Sequence, residues 1–136
     1  MVDSEAKKKS ICSMALELAS LAKKRYSLQS ALVKLGVSST MCMFARDYVD
    51  DPVVLVNILA AIDALATGDD HSKVDCAQEG LCAIIITALR KNREDFKTIS
   101  SCCTTATILC NSKIRAAMKG VKFSGDIKKI FGDEGM

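Results

Sequence analysis

The chain contains no tryptophan, one proline and one histidine, and aromatic residues make up only 4% of its 136 positions. Each scarcity excludes something. One proline and seven glycines are too few for the many turns of a β-sandwich or barrel, so an all-β fold is not expected. With aromatics this rare, a core must be filled by Ala, Leu, Ile, Val, Met and Cys, and hydrophobic residues at 49% are plentiful enough to fill it. Small and aliphatic side chains suit closely packed helices. A lone histidine, His71, leaves few ways to assemble a Cys/His or Ser/His pair, which argues against an enzyme. Long apolar runs are missing too: residues 81–89 span about half the length that a membrane helix requires. The chain carries no signal peptide, and neither its Val2 nor its C-terminal Gly132-Asp133-Glu134-Gly135-Met136 is a lipidation signal, so no membrane anchoring is expected.

The formal net charge is +3, with both signs interspersed, as on an ordinary solvated surface. The basic excess gathers near the ends, at Lys7, Lys8, Lys9, Lys23, Lys24 and Arg25, then at Lys113, Arg115, Lys119, Lys122, Lys128 and Lys129. No aromatics interleave with it, as base stacking would require, so nucleic-acid binding through these clusters is an alternative rather than the leading reading. Seven cysteines, Cys12, Cys42, Cys76, Cys82, Cys102, Cys103 and Cys110, form an odd set in apolar stretches without CxxC spacing. They read as small core residues in a reducing compartment, the cytoplasm or the nucleus, and not as metal ligands. The acidic segment around His71 reads as a loop whose side chains open the next helix, without a metal. No GxxxxGK phosphate loop follows any glycine, and no cofactor is expected.

Helix signals come in a regular order. Asp51-Pro52 opens an apolar-periodic stretch to Ala66, with Asp51 as N-cap and Pro52 at the first helical position. Shorter periodic pieces follow at about 72–79 and 81–91, and Asn92 is expected to cap a long helix from Arg93 to about Cys110, with Asp95 in its first turn. Two short helices and one long one form the unit. It recurs: Gly36, Gly80 and Gly120 stand 44 and 40 residues apart, and each closes a short amphipathic segment. Residues 72–80 align without a gap on 112–120, and 28–36 lie more loosely in the same register.

A period of 40–44 residues with three helices per unit is the pattern of an α-solenoid, in which stacking makes the core continuous. In this register the chain resembles the armadillo-repeat family, with a related HEAT-type repeat and a single helical bundle as the alternatives. The resemblance runs from about residue 10 to 131. It rests on the glycine-closed first helices, on second helices at 39–48 and 81–91, and on third helices ending Leu21-Ala22, Leu65-Ala66 and Leu109-Cys110. It implies one all-α domain, a right-handed α-solenoid of about two complete three-helix repeats (27–67 and 72–110) with a partial repeat at each end (4–22 and 112–131).

In armadillo-like proteins the third helices line a concave groove. Projecting them here puts Ser13, Leu16 and Ser20, then Asn57, Ala60 and Ala64, then Ser101, Thr104 and Ile108 on that face. Peptide-reading members hold an extended backbone with an asparagine near the end of each third helix and a tryptophan one turn earlier. Ser20, Ala64 and Ile108 occupy the asparagine positions and the chain has no Trp, so an extended basic peptide is not the expected ligand. The expectation is a non-catalytic protein-interaction module, adaptor or scaffold, whose shallow groove takes an amphipathic helix or a neighbouring domain. One further alternative is a small regulatory subunit that docks through convex second helices, with Met41, Met43 and Phe44 exposed.

Overall fold

The computed structural model describes residues 4–110, which form seven α-helices and no strand. They are α1 (Ser4–Lys24), α2 (Tyr26–Lys34), α3 (Val37–Asp47), α4 (Pro52–Ala66), α5 (Asp70–Gln78), α6 (Leu81–Lys91) and α7 (Phe96–Leu109). The all-α expectation holds for these residues. The partial repeat expected at 112–131, with Gly120 and the C-terminal basic cluster, lies outside the described residues.

Local chemistry sets each boundary. Asp51, Asp69 and Asp95 each stand just before a long or acidic-opening helix and accept the backbone N–H of its third residue, Val54 (3.3 Å), Ser72 (3.0 Å) and Thr98 (3.3 Å). The two short-helix junctions turn on Gly36 and Gly80, with φ of 82° and 86°, a left-handed conformation in which a Cβ would be strained. At both, the glycine N–H returns to the carbonyl three residues back, Val33 and Ala77. Arg46 of α3 adds a cap from outside, donating from Nη2 to the Glu79 carbonyl at the end of α5 (2.6 Å).

Three boundaries differ from expectation. Asn92 does not open α7; it closes α6, donating to the Ala88 carbonyl (2.9 Å) and to Val49 (3.4 Å), and Asp95 is the cap. The turn between α6 and α7 thereby repeats the one between α3 and α4, where Asp51 N–H bonds Tyr48 as Asp95 N–H bonds Asn92. His71 is not in a loop, because Asp69 starts α5 early enough to take His71 into its first turn. Met41 is not exposed: it lies with Ser38, Cys42 and Ala45 on the inward side of α3, at 1% exposure, and Phe44 packs against the same core. Only Met43 of that trio is open to solvent, at 53%.

The core is organised around α4. Its sequence is apolar on all sides, and nine of its residues, from Val54 to Ala66, are buried. α1 lies along one flank of α4 and α7 along the other, while α3 covers a third side. α1 turns Ile11, Ala15, Ala19 and Ala22 inward, a stripe of mostly small residues that lets the helices approach closely. The carbonyl end of α4 is closed by Gln29 of α2, which is buried and whose Nε2 lies 3.1 Å from the carbonyls of Ala64 and Leu65 and 2.7 Å from that of Thr67. Two N–H groups thus serve three acceptors, which pins α2 across the end of α4.

Replacing Gln29 by Ala should lower unfolding stability by about 2 kcal/mol, because three sheltered carbonyls lose their donor. Gln29→Glu should cost more, since a carboxylate cannot donate and faces carbonyl oxygens. Urea denaturation of the three proteins at one pH measures both, and equal midpoints would remove the cap from the account.

Candidate functional site

Because α1, α4 and α7 lie side by side and α2 crosses the end of α4, a groove opens between them. It has a volume of about 580 Å³ and is lined by Ala22 and Lys23 of α1, Tyr26 and Gln29 of α2, Ala60, Asp63, Ala64 and Thr67 around α4, and Thr104 and Ile108 of α7. Its floor is mostly small and apolar. A second hollow of about 530 Å³ lies between α1 and the start of α4, lined by Ser13, Leu16 and Val53 with Lys8, Lys9, Glu5 and Asp51.

The nine residues expected on one face therefore divide. Ala60, Ala64, Thr104 and Ile108 come together in the first groove, Ser13 and Leu16 in the second. Ser20 is exposed but lines neither. Asn57 is a structural link: its Nδ2 donates to the Val53 carbonyl (3.0 Å) and reaches Cys12 Sγ (3.5 Å). Ser101 is half-buried, and its carbonyl lies 3.1 Å from Thr105 Oγ1.

What the projection missed is Asp63. It is the single charged residue of α4, and its Oδ1 accepts a hydrogen bond from Thr105 Oγ1 of α7 at 2.6 Å. Burial pushes its carboxyl up to about 6, against the opposing pull of the Thr105 hydrogen bond and the Lys23 charge. A lone acid in an otherwise apolar helix was the available signal. Tyr26, Lys23 and Gln29 were missed because they belong to the α1–α2 corner, which a projection of the third helices alone does not include.

Elsewhere the chemistry is quiet. Cys42 is raised by its contact with the Cys76 thiol and by burial, while burial pushes Cys82 to about 11 and Cys102 to about 12, so these three thiols stay protonated. None of the seven cysteines is in a disulfide, and among the described residues no group of three His, Cys, Asp or Glu side chains could hold a metal. Of the N-terminal basic cluster, Lys8 is committed to Asp51 (3.0 Å) and Glu5 (3.6 Å); Asp51 holds the lysine above its usual value, and Lys8 holds the Asp51 carboxyl below its own. No single described helix is long and apolar enough to cross a membrane. Comparison with protein families, curated proteins and solved structures finds no match to this chain.

Asp63 sets a pH dependence of known sign. A carboxyl raised from 3.8 to about 6 makes the folded state bind a proton that the unfolded state does not, so stability rises as pH falls between those values. The gain is on the order of 2 kcal/mol once partial contact with water is allowed for. Asp51 acts oppositely and lower, its contribution being lost only as pH falls below 3.8 through its depressed value. Asp63→Asn should flatten the pH 4–6 limb of a urea-midpoint profile and leave the fall below pH 4 in place. An unchanged limb would assign it to another group.

Proposed function

We propose that this protein is a non-catalytic interaction module, an adaptor or scaffold, that receives a protein partner in the groove between α1, α4 and α7. The observation that carries the reading is the groove itself, whose shallow floor of small side chains suits a ridge of an amphipathic helix or a neighbouring domain. The architectural part of the proposal is an armadillo-like, right-handed α-solenoid of about two complete repeats with a partial one at each end, within a longer array or alone, acting in the cytoplasm or nucleus. Two features support it. The successive helix lengths of 9, 11 and 15 residues in α2–α4 recur as 9, 11 and 14 in α5–α7. The left-handed Gly36 and Gly80 stand at the first junction within each set, and the Asp51 and Asp95 caps at the second. Docking through the second helices is less well supported, since Met41 belongs to the core.

Ala60→Arg and Thr104→Arg each put a bulky charge into the groove from a position whose side chain is not buried. Partner capture from an extract of the source cell should fall at least about tenfold for both, a loss of about 1.4 kcal/mol or more, with melting temperatures close to the parent. Met43→Arg, exposed on α3 and outside the groove lining, should bind as the parent does. Groove variants that bind normally, or a Met43 variant that does not, would overturn the proposal.

A further inference from the structure

Among the described residues, the Asp63 carboxylate in the groove is met by one hydrogen bond and by a lysine charge that stays beyond contact. Asp63 Oδ1 accepts one hydrogen bond, from Thr105, and no other hydrogen bond or ion pair reaches the carboxylate from the described residues. A carboxylate offers about four lone-pair sites, so most of its accepting capacity is unused. Three of the neighbouring donors are already spent. The Thr67 hydroxyl donates to the Asp63 carbonyl (2.6 Å), the Thr104 hydroxyl to Ser100 (3.0 Å), and the Gln29 amide to the end of α4. Lys23 of α1 acts on Asp63 through its charge without reaching ion-pair distance, and the other titratable groups facing it are Tyr26 of α2 and the buried Cys102 thiol of α7. A partly desolvated carboxylate with spare lone pairs is costly unless a cation meets it.

On the reading that this groove receives a partner, we infer that Asp63 makes it a subsite for one arginine or lysine side chain of the docked segment. The surroundings fit that occupant. Ala60, Ala64 and Ile108 give the aliphatic stem an apolar bed, the carboxylate meets the charged head, and Tyr26 adds an aromatic ring to the lining. A neutral partner would leave the carboxylate further desolvated and unpaired. The subsite therefore selects for charge as well as shape, and its affinity falls as Asp63 is protonated.

The test uses the full chain and a side-chain probe, N-acetyl-arginine N-methylamide, with the norleucine analogue as neutral control. NMR titration of the Asp63 side-chain carboxyl carbon should show a midpoint that saturating arginine probe lowers by about one pH unit or more, the effect of an opposite charge in contact. The norleucine analogue should leave it in place, and Asp63→Asn should abolish the amide shifts that the arginine probe causes at Thr105 and Ile108. A midpoint that the arginine probe does not move, or that both probes move equally, overturns the subsite. The parent chain alone decides this, so it survives a variant that folds poorly. Failure here with loss of partner capture in the groove variants leaves the binding face standing without its cation. Probe binding with normal capture in those variants has the opposite meaning.

Discussion

The carbonyl end of α4 must be satisfied while sheltered from water, and the Gln29 amide is what satisfies it. That constraint fixes more than a helix terminus. Holding the amide at three carbonyls sets where α2 crosses α4, and so where Tyr26 stands and how the α1–α2 corner bounds the groove. The α2–α3 turn depends on it in sequence, because α2 ends at the left-handed Gly36, which redirects the chain so that α3 covers another side of α4. The position seven residues before the next such glycine is Lys73, buried and paired with Asp70. The chemistry of the cap is therefore particular to the first unit, although the helix lengths recur.

α4 shows the opposite balance. Surrounded by α1, α3 and α7, it can be apolar on every side, and its nine buried residues supply much of the core. One carboxylate in such a helix works against folding at neutral pH, since its charged form is disfavoured by burial and only partly supported by Thr105. Retaining a group that weakens the fold is easier to understand if it is needed at a surface, and Asp63 lies at the groove rather than in the interior.

Much of the architecture was legible in the sequence. The bounds of α4 and α6 follow from Asp51-Pro52 and from the run after Gly80, and the glycine junctions fall where the repeat register puts them. The errors share a cause. Asn92 and Asp95 are both competent caps, and only the geometry of the turn into α7 selects Asp95. Met41 and Met43 are the same residue type about 200° apart on α3, and only the packing of that helix against α4 decides which is buried. The face was harder to read than the fold. Periodicity gives which residues share a side of one helix, but the groove also takes residues from α2 and from the α1–α2 corner, and those depend on the Gln29 contact across 35 or more residues of sequence.

The account's central claim is that the α1/α4/α7 groove is the surface a partner meets. A photo-crosslinking residue placed at Thr104, which is exposed at the groove, and separately at Met43, exposed on α3, tests it most directly in the source cell. The account predicts a defined cross-linked species from position 104 and none from position 43. Cross-linking from position 43 with none from position 104 would contradict it.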